Sequence, residues 1–129
     1  MKLEFLDDAF DGDGLLLLHS GSVSEVERLC MHVRGLATPG RPVLVHTLDF
    51  IDAVDSCELT FATARSSRAV QRAREGLRFE LHLSPSDWGV VADLLDPFCA
   101  PEAEADDATR FQYLHDGGIR LIYSTTRQW

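Results

Sequence analysis

The stretch LLLLHSGSVSEVERLCMHVRGL, residues 15–36, does most to decide the fold. It opens on four consecutive leucines, an uninterrupted apolar run that is typical of a strand buried on both faces. Ser22 and Glu25 then form the pattern of a capping box, in which a hydroxyl and a carboxylate satisfy free backbone N–H groups. Apolar residues recur at helical spacing as far as Leu36, so the sequence predicts a buried strand followed by an amphipathic helix.

The residues on either side extend this unit. Residues 42–48 form a second apolar segment, and a strand, a helix and a second strand in this order predict a βαβ unit with a right-handed crossover. Upstream, residues 2–6 alternate between apolar and polar types and predict a short strand. Residues 7–14 have the composition of a turn.

The second half of the chain predicts further strands and one more helix. Residues 58–64 and 77–83 are typical of strands, and the second segment alternates cleanly enough to predict one exposed face. Ser84 stands where a helix N-cap is expected, with a proline directly after it. Residues 116–118 (Asp-Gly-Gly) lie between two strand-like segments and predict a β-hairpin.

These elements predict one α+β domain covering residues 1–129, because a chain of this length has no room for two independent cores. We expect a mixed sheet of about six or seven strands, with both helices packed mainly on one face. The first half is expected to be βαβ-like and the C-terminal part to form the hairpin. Residues 101–109 (PEAEADDAT) are expected to form a mobile acidic loop.

Charge and cysteine content narrow the function classes. The chain has 12 Lys and Arg against 21 Asp and Glu, a net charge of -9. This excess disfavours nucleic-acid binding and docking on an anionic membrane. No apolar run is long enough for a signal peptide or a membrane span, which predicts a cytoplasmic protein. Cysteines at 30, 57 and 99 form no metal-binding or disulfide pattern, so buried reduced thiols, no metal and no cofactor are expected.

A candidate enzyme site follows from the predicted βαβ unit. His19 and Ser20 follow the strand at residues 15–19, and Asp49 and Asp52 follow the strand at residues 42–48. Ligands bind beyond the carboxyl ends of such strands, where these side chains could bind a divalent cation or orient His19 as a general base. No complete phosphate-loop or catalytic-triad motif is present, so the sequence favours structural roles here and leans away from an enzyme.

Three acidic clusters predict an alternative use. Residues 1–13, 49–58 and 101–107 each carry a net charge of -4. Folded into one negative face, they would attract a basic protein by electrostatic steering. The predicted partner-binding residues are Asp49, Asp52, Asp55, Glu102, Glu104, Asp106 and Asp107.

The preferred hypothesis from the sequence is therefore a small acidic protein-binding module. Its most concrete form is an inhibitor, immunity-type or antitoxin-type partner of a basic protein, a comparison based on charge alone. Phe10 and Trp129 are predicted to anchor the contact. A small-ligand-dependent or metal-dependent enzyme is the alternative, and a structural subunit of an oligomeric assembly is the third possibility.

An arginine-rich segment interrupts the acidic chain. Residues 65–78 carry five arginines and one glutamate. If the segment is helical, Arg65, Arg68 and Arg72 share one face that could bind an anion or an acidic partner bidentately. Pairing with the protein's own acids, internally or across a homo-oligomer, is favoured over an external ligand. A nucleic-acid role is disfavoured because the segment has no interleaved aromatic residues.

Overall fold

Nine strands and two helices form the part of the chain that the computed structural model describes, residues 1–38, 40–99 and 111–129. The helices are α1 (Val23–Gly35) and α2 (Pro85–Leu95). The strands are β1 (Lys2–Leu6), β2 (Leu15–His19), β3 (Val43–Leu44), β4 (Asp52–Ala53), β5 (Glu58–Thr63), β6 (Gln71–Arg72), β7 (Arg78–Leu83), β8 (Phe111–His115) and β9 (Arg120–Ser124).

The first sheet has five strands in the order β4-β1-β2-β9-β8. It is built from two antiparallel hairpins, β1–β2 and β8–β9, which confirms the predicted C-terminal hairpin. The hairpins join through parallel pairing of β2 with β9, in register from Leu15 opposite Arg120 to His19 opposite Ser124. The centre of this sheet therefore pairs segments that are far apart in the chain.

The four leucines of β2 are fully buried, as their sequence predicts. Leu16 and Leu18 face the main core, which both sheets and both helices share. Leu15 and Leu17 point the other way and form a small cluster with Ile122 of β9. Hydrophobic residues of β1 and of the β1–β2 connection pack onto that cluster, so this sheet is covered on both faces at β2.

The second sheet has four strands in the order β3-β5-β7-β6. β5 and β7 are parallel, and residues 64–70 cross the end of β7 so that β6 pairs on its opposite edge. The crossing is held by two backbone bonds, from the Ala64 N–H to the Leu83 carbonyl and from the Arg68 N–H to the His82 carbonyl. The arginine-rich segment is thus extended and carries a short strand, and the helical alternative is wrong.

Both predicted helix starts are confirmed. Ser22 and Glu25 form the reciprocal capping box of α1, and the Ser84 side chain caps α2. Trp88 fixes α2 to the second sheet. Its Nε1–H donates to the Ala62 carbonyl at 2.9 Å, and its ring centre lies 4.8 Å from the ring centre of Phe61. Neither described helix is long and apolar enough to cross a membrane.

The predicted βαβ unit is wrong, and so is the single sheet of six or seven strands. Only Val43–Leu44 of residues 42–48 is a strand, and it lies in the second sheet, away from β2. The chain then turns through a 3-10 helix at Val45–Thr47. The strand stops at Leu44 because the next N–H of β5, that of Leu59, is bound by a side chain. His46 Nδ1 accepts it at 3.1 Å in place of a backbone carbonyl.

Candidate functional site

A buried polar cluster surrounds His19 at the end of β2. The Nε2 of His19 lies 2.9 Å from Oε1 of Glu4, and its Nδ1 lies 2.7 Å from Oγ of Ser20. A carboxylate only accepts hydrogen bonds, so a neutral ring donates from Nε2 to Glu4 and accepts the Ser20 hydroxyl proton at Nδ1. The three side chains form a hydroxyl–imidazole–carboxylate relay.

The backbone at Ser20 is strained. Its φ is 61°, in the left-handed region, and it lies between β2 and the N-cap of α1. This conformation costs a residue other than glycine about 1–2 kcal/mol, and such strain often gathers at functional sites. A serine in a sharp turn between a strand and a helix is also how the nucleophile is presented in one large group of hydrolases.

Charge around Glu4 determines the protonation of the relay. The Nε of Arg127, which follows β9, donates to Oε1 of Glu4 at 2.7 Å. This bond lowers the pKa of Glu4 even though burial acts in the opposite direction. Burial lowers the pKa of His19. This effect is larger than that of Glu4, which raises the pKa. A neutral imidazole beside an ionised carboxylate is the state that a general base needs.

Asp49 and Asp52 lie apart from His19, contrary to the predicted convergence. Asp49 accepts from Nη2 of Arg28 at 2.6 Å, and Asp52 begins β4, which β1 separates from β2. No group of three possible metal ligands among the described residues includes His19 or either aspartate. The two strands that were expected to bring them together lie in different sheets.

Sequence reasoning missed Glu4 and Arg127. Glu4 reaches His19 through the register of the first sheet, and Arg127 reaches Glu4 through the path of the chain after β9, neither of which one sequence reveals. One signal for Glu4 was present in the sequence. The alternation of β1 places Glu4 on the face opposite Leu3 and Phe5.

Six exposed aspartates lie beside β1 or in the connection that follows it, and we call them the acidic edge. Two belong to β4 and to the turn Val54–Ser56 that continues it beside β1, and four belong to the β1–β2 connection. None of the six carboxylates has a hydrogen-bond or ion-pair partner within the described ranges. The acidic edge consists of Asp7, Asp8, Asp11, Asp13, Asp52 and Asp55.

The structure places one of the remaining predicted partner-binding residues, Asp49. Asp49 is paired with Arg28. Residues 101–107, with their four acids, lie outside the described residues, as does the predicted mobile loop at residues 101–109. The acidic edge therefore combines two of the three predicted clusters.

The arginines of residues 65–78 have divided roles. The Arg72 guanidinium lies over the rings of Phe5 and Phe79, 5.0 Å and 5.5 Å from their centres. Arg78 donates to Glu58 at 2.9 Å, an internal pair of the predicted kind. Arg65 and Arg68 are exposed and form no ion pair with a described residue. Arg65, Arg68 and Arg72 share no helical face, because the segment is extended.

A cavity of about 380 Å³ opens on the second sheet, between β3, β5 and β7. Glu58 and Glu80 line it. Glu58 lies 3.6 Å from Nε2 of His46 and is held on its other side by Arg78. Arg78 and His46 line the cavity as well, so a cationic group of the protein itself already faces one of its two carboxylates.

The three cysteines are free thiols. Burial raises the pKa of Cys57 to about 11 and that of Cys99 to about 11, and it also raises the pKa of Cys30. These thiols are protonated at neutral pH, so none is suited to act as a nucleophile.

No protein-family model, curated protein or solved structure matches this chain. Its function has to be inferred from its own residues.

Proposed function

We propose that this protein is an acidic binding module for a basic protein, most concretely an inhibitor, immunity-type or antitoxin-type partner. The acidic edge carries the proposal, since six exposed carboxylates without a described partner lie together on a chain of net charge -9. Such a concentration of charge accelerates association with a basic surface and selects against acidic ones. It also destabilises the fold through self-repulsion, a cost that an external partner would offset.

The cavity on the second sheet supports the same proposal. Glu58 follows Asp55 by three residues, so the acidic edge leads along the chain to the cavity. A Lys or Arg side chain from the partner would find Glu80 there, beside a Glu58 that Arg78 already holds, and inserted arginines are common anchors of protein complexes. Of the two predicted aromatic anchors, Trp129 is 41 % exposed, whereas Phe10 packs beneath the Arg120 guanidinium at 4.2 Å.

The test uses two variants that remove equal charge. The edge variant carries D7N, D8N, D52N and D55N, and the control variant carries E75Q, D87N, D93N and D116N on exposed positions away from the edge. Tagged wild-type protein is incubated with lysate of the source cells and eluted with increasing salt. The partner that is recovered in stoichiometric amount is then purified for kinetic measurements.

We expect a basic partner whose association rate with the edge variant falls by at least about tenfold at low salt. The control variant should stay within about twofold of wild type. An equal loss in both variants would refute the role of the edge, and so would recovery of only neutral or acidic partners.

A second candidate function rests on the relay at His19. In that function Ser20 Oγ attacks an ester carbonyl while His19 Nδ1 takes the hydroxyl proton and Glu4 stabilises the resulting imidazolium. His19 then returns the proton to the leaving alkoxide as the ester C–O bond breaks, and water hydrolyses the acyl-serine in a second, equivalent step. The observation that favours it is the pair of hydrogen bonds at 2.7 Å and 2.9 Å next to a strained serine.

A fluorophosphonate probe tests this candidate directly, because it reacts covalently with activated serines. Peptide mapping should place the label on Ser20, and S20A should abolish labelling. Ser24, an exposed serine in the first turn of α1, provides the control, and S24A should leave labelling unchanged. Absence of labelling in folded wild-type protein would exclude the hydrolase and leave the binding module untouched.

A further inference from the structure

Three side chains of metal-ligand type meet where α1 packs against the end of α2. Cys30 lies on α1, and Asp96 and Cys99 lie on the 3-10 turn Asp96–Cys99 that follows α2. The two sulfur atoms and one carboxylate oxygen all lie within 4.8 Å of one another. No other set of three such ligands lies this close within residues 1–38, 40–99 and 111–129. Separation of the cysteines in sequence hides this cluster from any motif search.

A cavity of about 230 Å³ adjoins the cluster. Glu27 also lines it, one helical turn before Cys30 on the same side of α1. A fourth, oxygen-donating side chain is therefore close to the three ligands. This arrangement differs from a surface acidic cluster, because two of its members are thiols and Cys30 is only 4 % exposed.

We propose that Cys30, Asp96 and Cys99 bind one zinc ion, with Glu27 as the fourth ligand. Two sulfurs with carboxylate oxygens are a donor set that zinc accepts, whereas a carboxylate is a poor ligand for the softer copper(I). Ligand atoms around tetrahedral zinc lie roughly 3.8 Å apart when both are sulfur, so small side-chain rotations suffice. The proposal is independent of the proposed function, because the site lies away from the acidic edge.

Zinc would replace contacts that the site now makes. The Cys30 thiol donates to the Ala92 carbonyl at 3.5 Å, and the Cys99 thiol donates to the Leu95 carbonyl at 3.7 Å. Arg34 donates to Asp96 at 3.1 Å. On binding, both thiols release their protons to solvent as the two Zn–S bonds form, and Arg34 separates from Asp96. The ion would then join α1 to the end of α2.

The test is a zinc titration of the reduced, metal-free full chain against a chromophoric chelator. We expect one zinc per chain, and cobalt in its place should give a thiolate-to-metal charge-transfer band. C30S, C99S and D96N should each weaken binding by more than about tenfold. D96N changes an exposed residue, so it provides a result even if a cysteine variant fails to fold.

Two further variants sharpen the outcome. C57A removes a buried cysteine that lies outside the cluster and should leave the affinity unchanged. R34Q frees Asp96 and removes a positive charge, so it should bind zinc more tightly than wild type. The proposal is overturned if wild type binds no stoichiometric zinc, or if C57A weakens binding as much as C99S. It is also overturned if mass spectrometry finds only a Cys30–Cys99 disulfide and the reduced chain does not bind zinc.

Discussion

At the scale of single residues, His19 experiences opposing effects. Burial favours its neutral form, Glu4 favours its charged form, and burial prevails, so the pKa of His19 lies below its ordinary value of 6.5. Burial lowers the pKa of His115 as well, and the pKa of Glu4 is held down chiefly by Arg127. In each case the unfolded chain takes up a proton at a higher pH than the folded chain does. Acid therefore favours unfolding through all three groups.

We predict that the free energy of unfolding falls as the pH drops from about 7.5 to about 5.5. In H19Q the decrease should be smaller, because one histidine that stays neutral in the fold has been removed. Urea unfolding followed by circular dichroism at several pH values measures this slope. His32, an exposed histidine of α1, is the control, and H32Q should keep the wild-type slope. A wild-type slope in H19Q would contradict the prediction.

The sequence identified two of the three side chains of the relay. His19 and Ser20 were recognisable because they follow an apolar run and precede a helix cap, both of which are local patterns. Glu4 and Arg127 were not recognisable, because their contacts depend on the sheet register and on the chain path after β9. Cys30 and Cys99 were expected to be unrelated, since only the packing of α1 on the end of α2 brings them together.

At the scale of elements, local signals predicted the helices well, predicted one strand too long, and missed the two-residue strands β4 and β6. Caps and apolar spacing lie within one segment, so α1 and α2 were readable from their own residues. Residues 42–48 are as apolar as a strand, but His46 takes a backbone N–H of β5 and the chain turns after Leu44. The end of a strand that is caused by such a side-chain hydrogen bond leaves no periodic pattern in the sequence, so it could not be predicted.

Trp88 supports a prediction about how α2 is held. W88F keeps most of the apolar contact but removes the donor to the Ala62 carbonyl, which is then left buried without that bond. We expect a loss of about 1–3 kcal/mol in the free energy of unfolding. Denaturant unfolding measures it, with W129F as the control at an exposed tryptophan that should change stability by less than about 0.5 kcal/mol. Equal effects in the two variants would show that the hydrogen bond contributes nothing.

At the scale of the whole molecule, the α+β class was predictable but the division into two sheets was not. Six or seven strands were expected and the structure describes nine, and β2 pairs on one side with β1 and on the other with β9, which lies almost a whole chain away. Net charge was readable from composition, but the gathering of six aspartates beside β1 and in the connection that follows it depended on β4 pairing there.

The acidic edge leads to a prediction about stability that is separate from binding. The edge variant removes four like charges without a described partner, so its melting temperature should exceed that of wild type at low salt. The gain should disappear at about 1 M salt, where the screening length is about 3 Å. The control variant breaks the pairs of Asp93 with Arg34 and of Asp116 with Arg120, and it should gain nothing. A less stable edge variant at low salt would contradict this account.

The pairing of β2 with β9 has a consequence for how the chain is made. When the β1–β2 hairpin leaves the ribosome, the strand that will lie beside it has not yet been synthesised. The edge of β2 that pairs with β9 stays unpaired while residues 20–119 are added, and a nascent chain with an open strand edge is exposed to aggregation. The five-stranded sheet can be completed only after residues 120–124 have been translated and have left the ribosome.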